Sequence, residues 1–261
     1  MKYSKDGFTI LQSNQISEKV KEINNLLCEL LSIEYNKDSF LEDVHLKFKE
    51  MFTDRELYFG FLKSFTNHPI TQEISACRDL LAAVKNCGVN SPTLVTPPIL
   101  HVVSNDLIVN RAKVFTPPHQ DVVSTRGSVG QVVVWIPLHE VNEDNFGISA
   151  LPGSHKMGIL DTDPSDFGHT VKSELIKDSE FKYIKLEAGD SVIFSQYLIH
   201  HTHQIGKFRM ALSFRFNDMN DGDWKNRKFF VPFERVAIKD NFDDSRELPP
   251  QDPSKYFAEI D

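Results

Sequence analysis

A histidine and an aspartate separated by one residue, His119-Gln120-Asp121, could together hold a metal ion in this 261-residue chain. On an extended strand, residues i and i+2 project to the same face, so the imidazole and the carboxylate can meet one ion. If His200 arrives from a later strand, two histidines and one carboxylate surround the metal. Such a set covers one face of an octahedral ion and leaves the opposite positions open, an arrangement that suits non-haem iron(II). The H-x-D spacing alone is common by chance, so its weight comes from the residues that accompany it.

An arginine downstream adds an anion-binding group. From Arg209 to Phe216, polar Arg209 and Ser213 alternate with a continuous hydrocarbon face, Met210, Leu212, Phe214 and Phe216. The hydrocarbon face should pack against an outer layer, which turns Arg209 and Ser213 inward together. A buried guanidinium is costly unless it meets an anion, so the pattern indicates a buried carboxylate ligand. The far carboxylate of 2-oxoglutarate fits that description, with the Ser213 hydroxyl as a second donor. The alternative is a salt bridge to an Asp or Glu of the chain, and Arg215 on the same face is the rival for the ligand role.

The sequence resembles the phytanoyl-CoA dioxygenase-like family of iron(II)/2-oxoglutarate oxygenases from about Gly7 to Asp218. The order of the motifs is specific, whereas each motif alone is not. The matching stretches are PPHQD (117–121), VVVWIPL (132–138), FGISALPGSHKMG (146–158), AGDSVIF (188–194), LIHHT (198–202) and FRMALSFRFND (208–218).

This resemblance implies a role for each candidate residue. His119, Asp121 and His200 would bind iron, and Arg209 would pair with the far carboxylate of 2-oxoglutarate. Gln120 and Trp135 occupy positions that help to line the cosubstrate pocket.

Two neighbouring residues, His200 and His201, compete for the position of the third metal ligand, because the chain has the run His200-His201-Thr202-His203 where the family usually has His followed by small residues. The spacing from Gly189 favours His200, and strand alternation would then turn His201 away. Halogenating relatives replace the carboxylate of the triad with a small residue, so the presence of Asp121 argues against halogenation.

The elements that must position these residues differ between the two halves of the chain. Apolar residues recur at helical spacing in the first half, which predicts the helices Ser17 to Leu31, Asp54 to Ser64 and Thr71 to Asn86. Short apolar runs in the second half predict the strands Leu107 to Val109, Gln131 to Leu138, Tyr183 to Leu186, Ser191 to Tyr197 and Met210 to Phe216.

The predicted fold is mainly β with flanking helices, and the resemblance implies a double-stranded β-helix (jelly-roll, cupin-like) core. No Gly/Ser-rich linker divides the chain, so we expect one domain over residues 1–261. Its parts would be a helical N-terminal layer (about 1–95), the β-helix core (about 96–220) and a C-terminal extension (about 221–261).

The net charge of the chain restricts the classes of molecule that it can bind. A formal net charge of -8 argues against a nucleic-acid or anionic-membrane surface, since both need clustered positive charge. We therefore expect a small-molecule substrate, no nucleic acid and no membrane partner, and the sequence predicts no oligomeric state. The N-terminus lacks the features of a secretory or transit signal, and the three cysteines form no C-x-x-C pair, which predicts a cytoplasmic protein.

For the other ionisable residues we expect mainly structural or surface roles. His155 in the PGSH turn either contacts substrate or orders its loop through a hydrogen bond. We expect His101 and His139 at strand ends, without a chemical role. Arg111 and Lys113 precede the H-x-D motif, where they bind an anionic group or, as we favour, lie on a solvated strand edge.

The reaction that fits these expectations is hydroxylation of an aliphatic C–H bond of a small metabolite, with iron(II) and 2-oxoglutarate as cofactors, O2 as cosubstrate, and release of succinate and CO2. The alternatives are desaturation, epimerisation or cyclisation with the same cofactors. A cupin-like metal-dependent isomerase or a non-catalytic barrel would use the triad without 2-oxoglutarate, and would give no reason for Arg209.

Overall fold

Helices fill the first third of the chain and antiparallel strands dominate the rest in the computed structural model, which describes residues 2–95, 98–109, 114–230, 249 and 251–258. The α-helices are α1 (Lys2–Asp6), α2 (Asn14–Leu31), α3 (Phe40–Met51), α4 (Arg55–Thr66), α5 (Pro69–Glu73), α6 (Arg78–Asn86), α7 (Val122–Thr125), α8 (Gly222–Asn226) and α9 (Ser254–Ala258). The strands are β1 (Phe8–Leu11), β2 (Pro92–Leu94), β3 (Ile99–Ser104), β4 (Val132–Pro137), β5 (Ile148–Ala150), β6 (Thr162–Ser165), β7 (Gly168–Val171), β8 (Lys182–Tyr183), β9 (Ser191–Ser195), β10 (His200–Thr202) and β11 (Phe208–Asp218). Arg111 and Lys113 lie outside the described residues.

Most of the described strands belong to two antiparallel sheets, and a two-stranded hairpin stands beside them. The main sheet has the order β1-β9-β4-β11-β2, and β3 also pairs with β11. A smaller sheet has the order β10-β5-β8, and β6 pairs with β7 as a hairpin. An apolar cluster joins the two sheets, because Trp135 and Phe194 of the main sheet pack with Ile148 and Ala150 of β5. The interior between the sheets is where the site residues converge.

The opposite face of the main sheet packs against the helices. Met210, Leu212, Phe214 and Phe216 are at most 2% exposed and share one core cluster with residues of α2 and α3. The predicted hydrocarbon face of β11 is therefore confirmed. Buried Asn24 of α2 also donates a hydrogen bond to the Leu138 carbonyl oxygen (2.8 Å), which fixes this helix against the end of β4.

The predicted helices are found, with local differences. Asp54 caps α4, since its carboxylate accepts the N–H of Leu57 at 3.1 Å. The range predicted as one helix from Thr71 to Asn86 is divided into α5, a 3-10 turn and α6. The division falls at Cys77, whose ψ of 131° ends the helical path. Helix α3 was not predicted.

Three of the predicted strands are found as β4, β9 and β11, whereas the range from Tyr183 to Leu186 contains only the end of β8 and an isolated bridge at Leu186. Residues Leu107 to Val109 form a turn and an irregular segment without a partner strand, so the predicted strand is wrong. The strand that pairs with β11 is instead β3, just upstream, in register from Phe208↔Ser104 to Ser213↔Ile99. The N-terminal layer is not purely helical either, because β1 pairs with β9 at the edge of the main sheet. In the described part of the chain, none of the helices has the length and apolar character to cross a bilayer.

Candidate metal centre

The structure brings His119, Asp121 and His200 together in the interior of the molecule. One ligand atom from each residue lies within 4.8 Å of the others, and all three residues are buried. The Nε2 atom of His119 is 3.6 Å from Oδ1 of Asp121. Two imidazoles and one carboxylate at this separation can share one ion, and this donor set suits iron(II).

Backbone pairing places the two histidines side by side. His119 and His200 form an isolated antiparallel bridge, in which each N–H donates to the carbonyl oxygen of the other residue at 3.0 and 3.1 Å. Residues that face each other on adjacent antiparallel segments project to the same side. The ring centroids are consequently only 4.3 Å apart.

The backbone conformation that brings Asp121 to the metal centre differs from the predicted one. The expectation of an extended strand through both ligands is wrong, because Asp121 has φ -65° and ψ -28° and precedes the helical turn α7. Its carbonyl oxygen accepts the N–H of Thr125 at 2.8 Å, so the chain turns immediately after the bridge at His119. The pair H-x-D converges through this turn and not through strand alternation.

Hydrogen bonds fix which nitrogen of each histidine faces the centre. Nδ1 of His119 lies 2.7 Å from the Pro117 carbonyl oxygen, and Nδ1 of His200 lies 3.1 Å from the Leu198 carbonyl oxygen. A carbonyl oxygen can only accept, so both Nδ1 atoms carry the proton. Both Nε2 lone pairs are therefore available to a metal, a common way of orienting histidine ligands.

The neighbouring histidine is placed differently. Nδ1 of His201 contacts the Thr202 carbonyl oxygen at 3.0 Å, and its ring packs edge-on against Phe181. His201 borders the cavity, but it is not among the described residues whose ligand atoms converge. The geometry thus favours His200 as the third ligand.

The charge states also suit a metal centre. Burial raises the pKa of Asp121, but the Arg215 guanidinium and the neighbouring imidazoles outweigh this effect and hold that pKa well below its usual range. Burial, together with the nearby His119, lowers the pKa of His200 to about 3. At neutral pH the carboxylate is ionised and His200 is neutral, which are the forms that bind metal.

A cavity of about 650 Å³ connects the triad with Arg209. Arg209 is buried, its Cζ lies 5.2 Å from the centroid of the Trp135 ring, and its Nε donates to the Phe146 carbonyl oxygen at 2.7 Å. Its buried Nη1 has no hydrogen-bond partner among the described residues. Burial lowers the pKa of Arg209 to about 9, so the guanidinium is still cationic at neutral pH. An anion that enters the cavity would satisfy this group.

Ser213 and Trp135 also line this cavity, whereas Gln120 does not. The Gln120 amide donates to the carbonyl oxygens of Gly158 (2.8 Å) and Tyr197 (2.7 Å), and its Oε1 accepts the N–H of Leu160. The predicted role of Gln120 in the cosubstrate pocket is corrected accordingly. These hydrogen bonds hold the Gln120 side chain away from the cavity, where it connects two loops behind the metal ligands.

Two residues of the cavity were not assigned to the site from the sequence. His101 lies within β3, not at a strand end, and its Nε2 is 2.8 Å from the Ser213 hydroxyl. Burial lowers its pKa to about 3, with further lowering by Arg209 and Arg215. Arg215 places Nη2 3.7 Å from Oδ2 of Asp121. The polar alternation of β11 identified Arg215 as an inward residue, whereas His101 became visible only once β3 was known to pair with β11.

The other two histidines considered above, His139 and His155, have structural roles. Nε2 of His139 accepts the N–H of Met210 (3.1 Å), while Nδ1 contacts the Glu140 carbonyl oxygen. His155 contacts the Ser4 carbonyl oxygen through Nε2 at 3.1 Å and is fully buried outside the cavity lining. It orders the N-terminal segment, which resolves the two readings of this residue in favour of the hydrogen-bonded one.

Comparison with known proteins identifies the class. The model of the phytanoyl-CoA dioxygenase (PhyH) family matches residues 3–211, and the chain belongs to this family. The apo structure of ThoJ, a non-heme monooxygenase, is 16% identical with a TM-score of 0.56, and the match covers 83% of this chain and 76% of ThoJ. EctD from S. alaskensis, solved with 2-oxoglutarate and 5-hydroxyectoine, is 13% identical with a TM-score of 0.57, covering 84% and 75%. At these identities the likeness shows a shared fold. No curated protein sequence matches the chain.

Family membership confirms the resemblance seen in the sequence and the oxygenase class of the enzyme. It also supports the predicted cofactors, iron(II) and 2-oxoglutarate, which this family uses. The donor set of the triad fits iron, and the unpartnered Nη1 of Arg209 fits a carboxylate.

Proposed function

We propose that this chain is an iron(II)- and 2-oxoglutarate-dependent dioxygenase that hydroxylates an aliphatic C–H bond of a small metabolite. The observation that carries the proposal is the buried guanidinium of Arg209, which opens on the same cavity as His119, Asp121 and His200. A metal-binding barrel without a cosubstrate would leave this cation buried and unpaired, at a considerable cost in free energy.

Each residue has a defined task in this proposal. His119, Asp121 and His200 would hold iron(II), and Arg209 would bind the far carboxylate of 2-oxoglutarate. When bound, iron and 2-oxoglutarate supply the oxidising chemistry with O2, and the cosubstrate leaves as succinate and CO2. Trp135 supports Arg209 by lying against its guanidinium. The hydroxyl of Ser213, which is held by His101, offers a second donor near the cosubstrate.

The fold part of the proposal is that the two antiparallel sheets form a double-stranded β-helix around the cavity. The inter-sheet cluster and the short bridge between His119 and His200 support it. We also propose that residues 1–261 form one domain, that the substrate is a small molecule and not a nucleic acid or a membrane, and that the enzyme is cytoplasmic.

A substrate screen that measures succinate tests the proposed reaction. The purified protein, loaded with iron(II), is incubated with 2-oxoglutarate, O2 and a library of small metabolites. We expect succinate release to rise with one class of compound, whose product gains one oxygen atom in mass spectrometry. His200→Ala serves as the matched control and should release no substrate-dependent succinate.

The mass of the product distinguishes hydroxylation from the alternative reactions. Loss of two hydrogens would indicate desaturation or ring closure, and an unchanged mass would indicate epimerisation. Conversion of a compound by the metal-loaded protein without consumption of 2-oxoglutarate would contradict the proposal and favour a metal-dependent isomerase.

A further inference from the structure

A second arginine enters the cavity beside the metal ligands. Arg215 lies on the same face of β11 as Arg209, and its side chain is 12% exposed. Nη2 is 3.7 Å from Oδ2 of Asp121, and Nη1 is 3.5 Å from the Ser213 hydroxyl oxygen. Its buried Nε has no partner among the described residues. These long contacts leave much of the hydrogen-bonding capacity of the guanidinium unused, because a guanidinium carries five N–H donors.

The charges of the cavity point to an anionic ligand other than the cosubstrate. Asp121 is the only acidic side chain among the described residues that line it, whereas Arg209 and Arg215 are both cationic. On the proposed function, iron(II) and doubly charged 2-oxoglutarate neutralise each other. Asp121 then balances one arginine, and one positive charge is left over among the described residues that line the cavity. A singly charged anion would balance it.

Part of the cavity wall is apolar. Helix α4 contributes Tyr58, Phe59 and Leu62 to the cavity, and Val102 and Val109 line it nearby. Phe59 and Val109 are each 50% exposed, so the apolar surface extends to the outside of the protein. A ligand of this cavity would therefore bury hydrocarbon, which contributes favourable free energy in proportion to the area removed from water.

We propose that Arg215 binds a carboxylate of the primary substrate, and that the body of this substrate is largely hydrocarbon. The inference rests on the proposed function, because the charge count includes iron and 2-oxoglutarate. Arg215 is better placed than Arg209 for this task, because it is the arginine within ion-pair distance of a triad residue. It would hold the acid group next to the metal and leave Arg209 to the cosubstrate.

Paired ligands test this assignment without requiring turnover. The protein is loaded with nickel(II), which is redox-silent, and with saturating 2-oxoglutarate. Calorimetry then compares octanoate and 3-phenylpropanoate with octanamide and 3-phenylpropanamide, which keep the hydrocarbon and lack the charge. We expect each acid to bind wild-type protein about tenfold or more tightly than its amide, as a charge-assisted hydrogen bond predicts.

Variants assign the discrimination to Arg215. In Arg215→Gln the acid and the amide should bind equally, whereas Arg215→Lys should keep part of the preference. Arg78→Gln, the same change at an exposed helical residue, should behave as wild type. The 2-oxoglutarate affinity of Arg215→Gln should change much less than that of Arg209→Met.

Four outcomes would overturn the proposal. The acids could fail to bind the loaded protein, or bind no better than their amides. Arg215→Gln could retain the preference and lose only metal affinity, in which case Arg215 merely positions Asp121. It could instead lose 2-oxoglutarate affinity, in which case the cosubstrate is its ligand. Failure of nickel or 2-oxoglutarate to bind wild-type protein would instead contradict the proposed function itself.

Discussion

The two faces of the main sheet have opposite characters. Along β11, the face toward the helices presents Met210, Leu212 and Phe214, all fully buried in one apolar cluster. The other face, one residue out of phase, presents Arg209 and Arg215 to the cavity. Both faces of β11 are buried, but burial alone stabilises only the apolar side chains, whereas a buried guanidinium is costly without an anion. The helix-facing side of β11 therefore stabilises the fold, whereas its cavity side carries cations that need anionic ligands.

The largest expected effect is the loss of the metal centre on the cavity face. His200→Ala removes one of three ligands, and iron affinity should fall by on the order of a hundredfold or more, since even residues that only orient ligands contribute ten- to a hundredfold. His201→Ala is the matched control and should bind iron nearly as wild type. Metal titration checks both variants. A loss in His201→Ala that equals or exceeds the loss in His200→Ala would reassign the third ligand.

A change on the opposite face should affect stability and leave the chemistry intact. Phe214→Ala creates a cavity in the helix-facing core, and the free energy of unfolding should fall by about 3–5 kcal/mol. Urea unfolding measures this change. The iron and 2-oxoglutarate affinities of the folded fraction should stay within about twofold of wild type. A selective loss of either affinity at full stability would show that the two faces are not separable.

Arg209→Met should weaken cosubstrate binding and leave the stability of the fold nearly unchanged. We expect 2-oxoglutarate to bind about ten- to a hundredfold more weakly, because a charge-assisted hydrogen bond is lost. Stability without ligand should change by less than about 1 kcal/mol, since relief of an unpaired buried charge offsets the lost bond to Phe146. Thermal unfolding with and without 2-oxoglutarate checks both effects. A large loss of stability without ligand would assign Arg209 a structural role.

The smallest expected effect concerns pH and His139. Burial lowers the folded-state pKa of His139 to about 4, against an ordinary value of 6.5. The unfolded chain therefore binds this proton first, and wild-type stability should fall as the pH drops from about 6.5 to 4. His139→Gln keeps an acceptor for the Met210 N–H and lacks the titration. Its stability should decline by about 1–3 kcal/mol less over this range in urea unfolding, and parallel pH profiles would contradict the assignment.

The sequence predicted those features that depend on local pattern. The alternation in β11 predicted a hydrocarbon face and inward arginines, and the cap at Asp54 predicted the start of α4. The ligand types were identified because H-x-D and the later His belong to an ordered set of motifs. The prediction of an extended backbone at Asp121 was wrong, but it did not affect the choice of ligand. A helical turn and a strand can both bring this carboxylate beside His119.

The features that were missed depend on pairing between distant segments. Gln120 was placed in the pocket by position, but its amide is bonded to Gly158 and Tyr197, which no local pattern reveals. His101 enters the cavity because β3 pairs with β11 in one particular register. The contact between Arg215 and Asp121 likewise joins residues 94 positions apart in the chain.

Anaerobic titration with 2-oxoglutarate tests the central claim, that Arg209 binds the cosubstrate beside the triad, most directly. Iron(II) bound to the protein should give a visible charge-transfer band as 2-oxoglutarate is added. We predict the band in wild-type protein, no band in His200→Ala, and a midpoint about ten- to a hundredfold higher in Arg209→Met. Absence of the band in wild-type protein, or the same midpoint in Arg209→Met, would contradict the account.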